Sequence, residues 1–385
     1  MSYLPREIRK TGVRVSGKAR CDKKTKRLIS RLLPGEIAII DHPDIDEMAA
    51  VGLIEAKASA VINISPSMTG RYQNQGPIRL LQAGIPVIDV QDGELMVKIR
   101  EEQSLTIIDG CIYMEGMLLT VGELLTYEKI MQCMADAKKN APDELQRFFE
   151  NTLFYANKEK NFFLGDVPRL SLRTKIQGRH VLVVVRGLNY REDLRAIMTY
   201  IHEVQPVLIG VDGGADALMQ AGLRPHLIIG DMDSVSDSAL RSGAEIVVHA
   251  YPDGHAPGLE RIQRLGLKAH RYPAPGTSED IALLLAYENG ADLIVAVGTH
   301  THMVDFLEKG RKGMASTLLT RLRVGAKLVD AKGVSQLYQK RRISWTALVI
   351  VCTASMIPVA MIAAVNPIVR NLLRMFYWHV RLWFG

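Results

Sequence analysis

Two aspartates separated by one residue, Asp231 and Asp233, follow the apolar run His226–Gly230. In extended backbone, side chains at i and i+2 lie on one face, so both carboxylates are expected to point the same way. Like charges so placed repel unless a cation lies between them. Mg²⁺ suits that position, because it takes carboxylate oxygens and keeps phosphate oxygens as further ligands. Asp212 ends a second apolar run, Pro206–Val211, and is expected beside the same metal. Gly213 and Gly214 come next, where missing side chains let a phosphate approach the backbone and leave amides free to bind it. Ser234 adds a hydroxyl to this phosphate set. Thr277 or Ser278 is placed to cap a helix starting near Glu279, which brings another helix N-terminus to the same rim. Lys309, Arg311 and Lys312 have two readings: cations reaching nucleotide phosphates, or a solvated basic loop. His300 and His302 share a face if extended, but lack the third ligand zinc needs. Ser65, Ser67, Thr69 and Arg71 form a polar loop, either an ordinary connection or a second ligand site.

These residues must be held by something rigid. From His180 to Val334, near-continuous Val/Ile/Leu runs at 180–185, 206–211, 226–230, 245–250, 292–298 and 326–331 alternate with helical stretches. Unbroken apolar runs mark strands buried on both faces of a parallel sheet, and ligands bind beyond the carboxyl ends of such strands. The acids, glycines and hydroxyls above fall at those ends. A smaller α/β module is expected over 34–120, with strands at 36–41, 60–65 and 86–90, helices at 45–56 and 77–83, and β-rich stretches at 95–99 and 105–113. Residues 1–33 read as a basic arm or short helix, and 121–174 as a helical connector with Pro142 at an internal break.

The chain has 385 residues, 48% apolar and 23% charged, which excludes a disordered or single small-module protein. Its four cysteines are widely spaced and form no Cys-x-x-Cys pair, so neither a disulfide framework nor a cysteine zinc site is expected. The net charge of +7 is uneven. Residues 32–338 carry 31 basic and 39 acidic side chains, while both ends are basic. An acidic body with basic ends argues against nucleic acid as a partner and for an acidic one such as lipid headgroups.

Ser344–Val365 holds 22 residues without a charge. As a helix it would be about 33 Å long, enough for the hydrocarbon layer, so a single transmembrane helix at 344–365 is expected. Lys340-Arg341-Arg342 immediately before it favours residues 1–342 in the cytoplasm. The tail 366–385 mixes Arg with Trp, Phe and Tyr and suits an interfacial segment; a re-entrant span leaving the tail cytoplasmic is the alternative.

The run GVDGGADAL (210–218) followed by RPHLIIGDMDSV (224–235) resembles the catalytic domain of thiamine pyrophosphokinases, as does TSEDIAL (277–283). The resemblance covers about 175–338 and implies Mg²⁺, ATP or another nucleotide or diphosphate as ligand, and Asp231, Asp233 and Asp280 as catalytic residues. Ser278 stands where that family has Asp, and Asp280 where it has Glu. Over most of its length the chain is also similar to the SteA proteins of Gram-positive bacteria, described as cytokinetic ring proteins. That similarity rests on GTSEDIALLLA (276–286), VGTHTHMVDFLEKGRKGMAST (297–317) and LVDAKGVSQLY (328–338). It implies a membrane-associated nucleotide- and Mg²⁺-binding protein acting in cell division or envelope assembly. The expected partners are the membrane, a nucleotide, a division-machinery protein and a second copy of the chain. Two alternatives stand beside it: a working diphosphotransferase that passes a diphosphoryl group from ATP to an alcohol and releases AMP, and a scaffold without ligand.

Overall fold

The computed structural model describes residues 12–165, 167, 169–300, 303–307, 311, 313–337 and 345–384. They fall into two compact units, Met1–Val334 and Ser335–Gly385. The first unit contains two α/β sheets joined by a long helix.

The N-terminal sheet is built from β1 (Arg14–Asp22), β2 (Ile37–Ile40), β3 (Ala60–Asn63), β4 (Val87–Asp89), β5 (Ser104–Ile108), β6 (Cys111–Met114), β7 (Met117–Val121) and β8 (Glu123–Leu124). Their order is β7-β6-β5-β1-β2-β3-β4-β8. Strands β1 to β4 run parallel, whereas β5 to β7 form an antiparallel meander on β1, and β8 pairs antiparallel with β4. Every residue of β2 and β3 is buried, as their unbroken apolar runs require. Asp109-Gly110 and Glu115-Gly116 turn the meander with both residues at positive φ, the geometry that matches strand twist in two-residue hairpins.

Two expectations are corrected here. Residues 14–31 are not an arm: β1 lies in the middle of the sheet and Thr25–Arg31 is a helix. The strand escapes notice because its exposed face carries Arg14, Ser16 and Lys18, and because Arg20 is buried against Glu36 at 2.6 and 3.0 Å. Leu95–Lys98 is a helical turn rather than a strand, started by Asp92, whose carboxylate accepts the Glu94 N–H at 3.0 Å.

The connector is a 38-residue helix, Tyr127–Leu164, capped by Thr126 and continuous through Pro142. The second sheet comprises β9 (His180–Val184), β10 (Val207–Val211), β11 (Leu227–Gly230), β12 (Glu245–Ala250), β13 (His270–Pro273), β14 (Leu293–Val297) and β15 (Leu328–Asp330). All pairs are parallel, in the order β13-β12-β11-β10-β9-β14-β15. The chain starts at β9, builds outward to β13, then returns to the other side of β9, so the strand order reverses between β9 and β14. Helix Ser278–Glu288, whose residues 279–286 are all buried, packs with Val183, Ile209, Ile229 and Val247 in the main core.

The second unit contains helices Trp345–Val365 and Pro367–Phe384, with Asn366 between them accepting the Ile368 N–H at 2.9 Å. Among the described residues no single helix is long and apolar enough to cross a membrane. Val349–Ile362 and Pro367–His379 reach that length and apolarity together, bent by 109°.

Candidate functional site

At the carboxyl end of β10, Asp212 turns the chain at φ 47°, while its N–H remains bonded to the Ile229 carbonyl of β11. Its Oδ1 accepts the Met232 N–H at 3.2 Å, and the Asp231 carboxyl lies beside it. Burial first, and then the Asp231 charge, push the Asp212 carboxyl up from 3.8 to about 7, against the opposing Met232 hydrogen bond and the Lys26 charge.

The expected pairing of Asp231 with Asp233 is not what forms. The intervening Met232 is fully buried beside Ile228, Val235 and Ile246, and burying it forces the chain to φ 66°, out of the extended conformation. Asp231 Oδ1 accepts the Asp233 N–H at 2.9 Å, and the Asp233 carboxylate turns outward to Lys24 Nζ at 3.1 Å, in a pair whose side chains are 53% and 59% exposed. Arg261 holds the loop in this shape by donating to the Met232 and Val235 carbonyls.

Ser234 Oγ accepts the Gly213 N–H at 3.3 Å and ties the two acidic loops together. A Cβ on Gly214 would lie 1.9 Å from the Val184 carbonyl oxygen, so this glycine lets its helix seat on β9. A Cβ on Gly213 would lie 2.8 Å from Cδ of Arg186, whose exposed side chain covers this glycine from the end of β9. Arg186, Lys24 and Lys26 were missed by the sequence reading. Only Arg186 left a local signal, as a basic residue directly after the HVLVVV strand.

On the other flank Thr277 is the cap: its Oγ1 accepts the Asp280 N–H at 3.0 Å, and Asp280 Oδ2 accepts the Thr277 N–H at 3.1 Å. Asp280 also accepts from Ser316 Oγ at 2.7 Å and is 0% exposed; burial, then Glu279, push its carboxyl up. The cap and the Ser316 contact both fall on Oδ2, while Oδ1 of Asp280 is buried without a hydrogen-bond partner among the described residues. Ser278 Oγ lies 3.2 Å from His249 Nδ1, and His249 Nε2 donates to the Ala274 carbonyl at 3.0 Å. His300 is held by Glu279 through both its N–H and its ring, with Nδ1 at 3.0 Å. Arg311 is exposed, with its N–H on the Phe306 carbonyl, while Lys309, Lys312, Thr301 and His302 lie outside the described residues. The polar loop of the first sheet is an internal network: Ser65 donates to Asp41, Ser67 to Asp89, Thr69 to Asp44 and Arg71 to Glu144.

Among the described residues no group of three or more His, Cys, Asp or Glu side chains is arranged to hold a metal ion. The Asp212–Asp231 pair nonetheless fits Mg²⁺, which needs one or two carboxylates and completes its shell with water and phosphate oxygens. A buried carboxyl beside a second acid offers oxygen donors and negative charge that a divalent cation can take over.

No curated protein matches the chain. Among solved structures it is similar to thiamine pyrophosphokinase from Bacillus subtilis, at 24% identity and a TM-score of 0.26, over 40% of this chain and 60% of that one. The chain thus spans less than two thirds of that enzyme's length. At the other end of the molecule, residues 332–384 match the family model of the SteA-like C-terminal domain, and there the resemblance to SteA-like proteins holds.

Proposed function

We propose that the parallel-sheet region binds a nucleotide or other diphosphate together with Mg²⁺ at the carboxyl rim of β10 and β11. The observation that carries this reading is the Asp212–Asp231 carboxyl pair, one member driven up to about 7, at the ends of adjacent parallel strands. Asp212 and Asp231 would hold the metal, which when bound neutralises phosphate charge. Arg186, unpaired with any carboxylate among the described residues, would meet phosphate oxygens over Gly213. Asp233 joins only by releasing Lys24. Titration of the full chain with ATP in the presence of Mg²⁺ should give saturable binding that Asp231→Asn weakens at least tenfold; undiminished binding by that variant would refute the site.

The basic run 340–342, the apolar helix Trp345–Val365 and the aromatic, Arg-bearing helix Pro367–Phe384 support a membrane-anchored form with residues 1–342 in the cytoplasm. The 109° bend suits a span followed by a helix lying along the headgroups, where Arg381 covers the Trp378 ring at 5.7 Å. With the SteA-like C-terminal domain, this supports a role at the division site or in envelope assembly, in contact with a division-machinery protein and a second copy of the chain. Fractionation of cells making the full chain, against one ending at residue 338, tests the anchor: equal membrane recovery of both would remove it.

A further inference from the structure

The opposite edge of the second sheet, where the strands begin, carries a different chemistry. Two adjoining hollows of about 290 and about 310 Å³ share Arg179 and His226. Lys175 and Arg224 complete the wall of the first, and His202 lies in the second. No acid lines either hollow. Arg179 donates to the Gln205 carbonyl at 3.0 Å and Arg224 to the Ser242 carbonyl at 2.6 Å, so both guanidinium groups are oriented by backbone oxygens that leave their charge uncompensated. Among the described residues no carboxylate pairs with Lys175, Arg179 or Arg224. Glu245, at the start of β12, is taken up by the Arg173 and Thr174 N–H groups, the Thr174 hydroxyl and His270.

His226 is set as a donor. Its Nδ1 accepts the Leu208 N–H at 3.0 Å, which leaves the proton on Nε2. Burial, with the Arg179 charge, holds its pKa below the ordinary value, so the neutral donor form persists. Three unpaired cations gathered round one concavity repel one another, and the arrangement is relieved by a bound anion.

We propose that this hollow is a second, metal-independent site for a phosphate-bearing ligand, with Arg179, Arg224 and Lys175 as cations and His226 Nε2–H as a neutral donor. It is distinct from the acidic rim: His226 precedes β11 and Asp231 follows it, with strand β11 between them, a separation of about 13–17 Å at about 3.3 Å per residue. The phosphate source is either a soluble phosphorylated molecule or a lipid headgroup.

The test titrates the full chain in EDTA, which disables the Mg²⁺-dependent rim, with inorganic pyrophosphate, and separately with vesicles of phosphatidylglycerol against phosphatidylcholine. Saturable pyrophosphate binding that Arg179→Gln with Arg224→Gln weakens tenfold or more, and that Asp231→Asn leaves unchanged, supports a soluble ligand. Vesicle binding lost in the same double variant supports a headgroup. Lys175→Ala, at an exposed position, serves where circular dichroism shows the double variant misfolded, and should weaken binding about threefold. Absence of binding to both probes, or binding that none of these substitutions alters, overturns the proposal. Loss of Mg²⁺–ATP binding alone would strike the rim and leave this site standing.

Discussion

Replacing Asp212 by Asn isolates the energy stored in the acid pair. The folded state raises this carboxyl from 3.8 to about 7. It therefore binds a proton in the folded chain, between about pH 4 and 7, that the unfolded chain has already released. Stability from this group is full below about pH 4 and is lost as pH rises through about 7. At about 1.36 kcal/mol per unit, the displacement from 3.8 to about 7 corresponds to a ceiling on the order of 4 kcal/mol. Asp212 keeps some solvent contact, and screening brings the expected effect to about 2 kcal/mol. The Asn variant is neutral throughout and escapes the loss, so it should match the native chain near pH 4 and exceed it by about 2 kcal/mol at pH 8. Mg²⁺ at pH 8 should restore the native chain and leave the variant unchanged. Urea unfolding followed by far-ultraviolet circular dichroism from pH 4 to 8, with EDTA or Mg²⁺, measures all of this. A variant less stable than the native chain at pH 8, or equal pH slopes for both, would refute the reasoning.

Lys24→Ala should change stability by less than about 1 kcal/mol, because the Lys24–Asp233 pair is exposed, while freeing Asp233 to raise Mg²⁺ affinity severalfold; weaker affinity in titration would count against Lys24 as a competitor. Gly214→Ala should cost about 2–3 kcal/mol and abolish nucleotide binding, since the new methyl meets the Val184 carbonyl at 1.9 Å; an unchanged melting temperature would show that the helix shifts freely. Thr277→Ala should cost about 1 kcal/mol through the lost cap without altering Mg²⁺ affinity. Lost nucleotide binding at unchanged stability would instead make Thr277 a ligand contact.

The parallel strands of the second sheet were legible because burial on both faces writes itself into contiguous Val, Ile and Leu. Thr277 as a helix cap was legible for a similar reason, since its partner is three residues away. The strand β1 was not, because its solvent face is basic and its one buried charge is neutralised by Glu36, sixteen residues on. Asp280 was less legible, because an acid in a first helical turn has the same sequence signature whether or not it caps, and the Ser316 hydroxyl on its Oδ2 comes from far along the chain.

Local order of residues thus determined which acids, glycines and hydroxyls stand at strand ends, since apolar runs and caps act over a few residues. Tertiary structure alone decided which acids meet. Burying Met232 swung Asp231 toward Asp212 and sent Asp233 to a lysine 209 positions earlier. The basic hollow likewise brings Arg224, from the loop before β11, to Lys175 and Arg179 in the segment before β9. Charges interact through space with a range of several ångströms, and no spacing along the chain encodes which of them the fold will bring that close.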